Sequence, residues 1–228
     1  MERRRRDGTA LTGAGVCEMD AFVATEVNVV VLANSHNPTI VTKDWLTQHR
    51  VVPATVSKFL NTPALSVVEY EDDGISIQVE APRLIVTQRA EGLDFRRAIV
   101  PEIVKTYVGL LPHTPYTAHG VNVEGYLKFD SAARASAFLR ERFLAPGSIR
   151  LKGLEPKDLT FAVKIGYPCG NDRCTLAAEP AAGNGYGKIG IHFNYHVAEP
   201  GVDAIRRTME STATIWEILE DAIANFGA

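Results

Sequence analysis

The sequence predicts an α+β protein built as two similar halves, each running strand, helix, three strands, helix, with mainly antiparallel sheets covered by helices and a long C-terminal helix. Three observations lead there. Leu65 to Val86 alternates with period two, Asp72-Asp73-Gly74 sits inside that run as a hairpin turn, and an apolar stripe of helical period runs from about Asp203 to Phe226. The chain of 228 residues is 46% hydrophobic and 22% charged, a composition that folds around its own core without metal or disulfide.

The first strand is the β-branched run Val27 to Leu32, stopped by Asn34-Ser35-His36-Asn37-Pro38. A short helix follows, capped by Thr42 or Asp44 and carrying Trp45, Leu46 and His49 on one face, and a second helical turn is expected over 54–60 beyond Pro53. Leu65 to Tyr70 and Ile75 to Glu80 form the hairpin, and Leu84 to Val86 adds a third strand. Pro101 near the first turn, with Ile103, Val104, Tyr107, Val108 and Leu111 on one stripe, predicts a helix over 99–111.

The order then repeats. A strand over 121–129 leads through Ser131, a suitable N-cap, into a helix over 132–144. Strands follow near 159–166, 175–179 and 188–197, the last two joined by the loop 181–187, and Ile205, Met209, Trp216, Leu219, Ile223 and Phe226 mark the closing helix. The organisation expected is a disordered basic tail over 1–18, a first half over 19–115 and a second half over 116–228, the two halves packed as one unit.

A net charge of -3 and an isoelectric point near 6.1 give no global attraction to polyphosphate, which requires a basic surface whose counterions can be released. A local basic patch remains in Arg3, Arg4, Arg5 and Arg6. No run approaches the roughly 20 apolar residues that span a bilayer. Cys17, Cys169 and Cys174 are too few and odd in number for a disulfide framework, and no secretory signal precedes them. The expected location is therefore the cytoplasm, with Cys169 and Cys174 as thiols.

No nucleophile, acid–base pair or nucleotide loop stands out, so no catalytic residue and no cofactor is assigned. Gly183-Asn184-Gly185-Tyr186-Gly187-Lys188 lacks the spacing and the following helix of a phosphate loop and reads as a hairpin connection. The carboxylates Glu69, Glu71, Asp72 and Asp73 gather at a hairpin tip, where a solvated cluster is the ordinary outcome. Cys169 and Cys174 with His192 and His196 mimic a stretched zinc finger, but alternation in Ile191-His192-Phe193-Asn194-Tyr195-His196-Val197 is that of a strand. At about 3.3 Å per residue the two imidazoles then stand about 13 Å apart, too far for one zinc ion.

Residues 41–61 resemble a helix-turn-helix of the Lac-repressor type, which would place Thr55, Ser57 and Lys58 on a reading helix. Against it, Arg50 stands at the left-handed turn position that wants glycine, and Pro53 disturbs the junction.

Val27 to Ala33, His36-Asn37-Pro38-Thr39, Asp44-Trp45-Leu46, Val51-Val52-Pro53, Thr62-Pro63-Ala64 and Leu111-Pro112-His113-Thr114-Pro115-Tyr116 together resemble a sporadically distributed, uncharacterised bacterial protein family. The resemblance implies a bacterial or phage-related source, a two-part α+β build and an accessory role in a mobile-element or defence locus. It carries no activity or catalytic residues over.

Three functions follow as expectations. The first is a non-enzymatic accessory or assembly subunit that binds a protein partner or pairs with itself through an open sheet edge. The second is a nucleic-acid-binding protein using Arg3 to Arg6 and the 42–61 helices. The third is an enzyme with a cleft between the halves near Cys169, Cys174, His192 and His196.

Overall fold

The computed structural model describes residues 22–144, 162–181 and 187–227. Its strands are β1 (Val23–Ala33), β2 (Lys58–Asn61), β3 (Leu65–Tyr70), β4 (Ile75–Glu80), β5 (Arg83–Arg89), β6 (Tyr116–Phe129), β7 (Val163–Cys169), β8 (Asp172–Ala181) and β9 (Gly187–Val197). Its helices are α1 (Lys43–Gln48), α2 (Val100–Leu110), α3 (Ala132–Phe143), α4 (Val202–Glu210) and α5 (Thr212–Gly227). The α+β class and the helical cover expected from the sequence are both present. Among the described residues no helix is long and apolar enough to cross a membrane.

The strands form one antiparallel sheet, in the order β2-β3-β4-β5-β1-β6-β9-β8-β7. In each half the last strand of the meander returns beside the first, β5 on β1 and β9 on β6, and the two first strands then pair with each other. The halves therefore share a continuous sheet where separate sheets were expected. The reason lies in β1 and β6, which are 11 and 14 residues long and strongly apolar. Each needs a backbone partner on both sides, because unpaired N–H and C=O groups are costly inside a protein.

Alternation assigns one face of this sheet to the core. Val27, Val29 and Val31 of β1, Val121 and Val123 of β6, and Ile189, Ile191 and Phe193 of β9 are essentially inaccessible. Onto them pack Ile103, Val104, Tyr107 and Val108 of α2, Ala135, Phe138 and Leu139 of α3, and Ile215, Leu219 and Ile223 of α5. Phe226 closes the far end against Phe143, with ring centroids 4.8 Å apart. Each such side chain contributes about 1.5–3 kcal/mol through removal of apolar surface from water.

Three local expectations are corrected. The second helical turn over 54–60 is absent, and Lys58–Asn61 is instead a short edge strand on β3. Pro53 and the β-branched residues Val51, Val52, Thr55 and Val56 disfavour a helix, and an extended chain lets the Ser57 N–H reach the Glu69 carbonyl at 2.8 Å. With that helix goes the helix-turn-helix. The closing helix is two helices broken at Ser211, whose N–H is shared between the carbonyls of Arg207 and Thr208 while its Oγ donates to Arg207 O. The break lets α4 pack against α2 while α5 turns to cover Phe95 and the second half.

Arg50 adopts φ 49°, the left-handed conformation its place after α1 requires. An L-residue there costs about 1–2 kcal/mol, part of which glycine returns through its greater freedom in the unfolded chain. Arg50→Gly is accordingly expected to raise stability by about 0.5–1 kcal/mol, read as a higher urea midpoint at unchanged m-value.

Candidate functional site on the open face of the sheet

The face of the sheet turned away from the helices has its own chemistry. Register places nine positions in one line across all strands: Lys58, Glu69, Ser76, Thr87, Asn28, Asn122, Asn194, Thr175 and Gly166. At its centre three asparagines stand side by side on β1, β6 and β9. Asn194 Nδ2 donates to Asn122 Oδ1 at 2.6 Å, Asn122 Nδ2 to Asn28 Oδ1 at 2.7 Å, and Asn28 Nδ2 to Glu26 Oε1 at 3.0 Å. Arg89 Nε closes the chain on Glu26 Oε2 at 2.7 Å.

Asparagine is depleted in strand interiors, so three in one row run against local preference and are held by one another. They also mark a local two-fold relation. Asn28 and Asn122 face each other directly, Thr87 and Asn194 flank them equivalently on β5 and β9, and Ser76 and Thr175 come next on β4 and β8.

The neighbouring line is Leu60, Val67, Gln78, Ile85, Val30, Gly120, His196, Arg173 and Pro168. Its first-half side is apolar apart from Gln78, and beside it lies Leu32 at 36% exposure, with Leu60 at 50%. On the other side of the asparagines, His192 lies 3.6 Å from Glu124 and 3.7 Å from Glu179. On the first-half side charges are matched locally, Lys58 with Glu69 and Glu71, Arg83 with Glu80 and Arg89 with Glu26, while register sets Lys128, Lys164, Arg173 and Lys188 on the second-half side of the same face.

The candidate residues read from sequence fare differently. Cys169 and Cys174 form a disulfide across the β7–β8 hairpin, with Cα atoms 6.1 Å apart, in place of the expected thiols. The two-residue loop Gly170-Asn171 sets Cys169 opposite Asp172 and Cys174 opposite Tyr167, which makes the cysteines diagonal neighbours on the covered face. His192 and His196 project from the open face, in line with Ala177 and Arg173. The sheet thus separates the cysteines from the histidines, and the weak zinc set is not assembled; no metal-ligand cluster occurs among the described residues. Among the described residues the junction of the two halves is the hydrogen-bonded β1–β6 ladder.

Lys58 is engaged with two carboxylates, which raise its pKa, and Ser57 Oγ accepts the Glu71 N–H at 3.0 Å. Both serve the hairpin tip, and Thr55 stands in the non-helical stretch before β2. Arg3 to Arg6 lie outside the described residues, as do Gly183 to Tyr186.

Two further features belong to the covered side. An apolar cavity of about 700 Å³ lies among α3, β7, β8 and α5, lined in part by Phe143, Tyr167, Leu176 and Ile218. His119 of β6 is 1% exposed and sits 2.7 Å from Thr208 Oγ1. Because that hydroxyl gives its proton to Ala204 O, the imidazole Nε2 carries the hydrogen and Nδ1 is left buried without a partner. Desolvation is the main reason its pKa falls to about 4; Asp172 and Glu199 act to raise it, and His196 and Arg207 to lower it.

The sequence has matches neither among protein-family models nor among curated proteins.

The asparagine row was missed at the sequence level, although a signal for it exists. Val27-Asn28-Val29, Val121-Asn122-Val123 and Phe193-Asn194-Tyr195 each set one amide at the centre of an apolar strand.

Two outcomes follow. Thiol titration of denatured, unreduced protein should count one cysteine of the three, and all three after reduction; three before reduction would contradict the disulfide. His119 is neutral in the fold, so its contribution is present above pH 6.5 and is lost as pH falls toward 4. His119→Gln, which keeps a donor for Thr208, should flatten that part of the pH–stability curve in urea titrations.

Proposed function

We propose that this chain is a non-enzymatic accessory or assembly subunit whose working surface is the open face of the sheet, occupied by protein. One observation carries the reading: half-exposed aliphatic side chains and a row of linked amides share one face that the described residues leave uncovered, and on its first-half side the charges are paired among themselves. Apolar side chains beside satisfied polar groups are the make-up of a protein–protein interface core, which is depleted in free charge. A nucleic-acid surface needs unpaired cations along a backbone track, and on the first-half side, where the exposed leucines lie, Lys58, Arg83 and Arg89 are already engaged.

The setting that fits this role is the accessory part of a bacterial mobile-element or defence locus, as the family resemblance implies, with the cytoplasm as the compartment expected from the sequence. The Cys169–Cys174 disulfide counts against the reducing cytosol within that setting, because such bonds persist where thiols are not kept reduced.

The test is crosslinking in living cells from a photoreactive residue placed at Ile85 or Leu60, with Ile165 as a position off the open face. Protein adducts from positions 85 and 60, absent at 165, are expected. Adducts to nucleic acid alone, or none at all, would overturn the assignment.

A further inference from the structure

The edges of the sheet are guarded against further strands. β2 is only four residues long and opens with Lys58, while β7 carries Lys164 and Pro168, which has no N–H to donate. Pairing through an open edge, the route expected from the sequence, is disfavoured by these devices. What the described residues leave uncovered is the face.

We propose that a second copy of this chain occupies the open face, the two sheets stacking face to face about a two-fold axis. The inference rests on the reading of this face as a protein-docking surface, and four observations select a second copy as the occupant. The first is area: nine strands at about 4.8 Å spacing and three or four side-chain rows at about 6.7 Å give on the order of 800 Å², which matches what each partner contributes to a stable interface.

The second is charge. Identical faces repel where like charge stands unmatched, and on the first-half side, which carries Leu32 and Leu60, Lys58, Arg83 and Arg89 are each matched by glutamates of the same face. The third is the amide row. After linking to its neighbour, an asparagine retains an N–H and a carbonyl lone pair, so a row of amides is complementary to another such row. The fourth is the local two-fold about Asn28 and Asn122, which makes the two sides of the face equivalent in backbone shape, so that each side of one copy meets the same backbone relief on the other. Stacking would cover Leu32 and Leu60, two of the three large hydrophobic side chains exposed among the described residues.

The experiment is light scattering coupled to size exclusion, with sedimentation equilibrium of the full chain at concentrations up to about 50 μM, where a micromolar complex is populated. The expected mass is twice the 24.9 kDa of one chain. Leu60→Glu and Leu32→Glu, placed where a charge is tolerated by exposure, should each weaken dimerisation about tenfold or more, with unchanged circular dichroism. Ile165→Glu should leave the dimer intact.

A wild-type chain that stays monomeric, or a dimer of unaltered strength in both open-face variants, would overturn the proposal. The crosslinking described above separates this failure from that of the underlying reading. Adducts to a different protein with a monomeric chain would sink self-association alone, and absence of any protein adduct would sink both.

Discussion

The pairing of β1 with β6 is the constraint on which the structure depends. It joins the two halves, runs from Val23 opposite Tyr126 to Ala33 opposite Tyr116, and turns two meanders into one sheet. Because both strands are long and carry valines on one side, their common register fixes which side of all nine strands is apolar. Helices must then gather on that side, and everything polar in the strand centres is delivered to the other. A slip of one residue at this ladder would set Asn28 level with Val121 or Val123, so that one of the two strands would bury its asparagine and expose its valines.

Much of this architecture was legible because it rests on periodicity. The period-two runs are strands, the stripes at 99–111 and 132–144 are helices that differ by about a residue at their ends, and the strand character of 187–197 follows the alternation of Ile191, Phe193 and Val197. What escaped depends on partners distant in sequence. Lys58–Asn61 forms a strand only because β3 offers it a ladder, and four residues leave no readable period. The stripe of the closing helix continues through Ser211 in projection, so the sequence gives no sign that its two parts cover different neighbours.

The site divides the same way. That His192 and His196 lie on a strand was readable, and so the zinc reading lost its geometry before any coordinates. That the cysteines sit on the opposite face required the β7–β8 register, because the length of the Gly170-Asn171 turn decides on which side of the sheet each falls. The three asparagines were passed over singly, as polar interruptions in good strands. Their meaning comes only from being brought level with one another.

The asparagine row also has a direction. Glu26 with Arg89 beside it is a pure acceptor, so Asn28 must turn its nitrogen toward it, which sets the carbonyl of Asn28 toward Asn122 and in turn orients Asn194. All three amide dipoles therefore point the same way across a backbone that is itself nearly two-fold. A molecule approaching this face meets a carbonyl oxygen at one end of the row and an anion at the other, and the protons, unlike the strands, tell left from right.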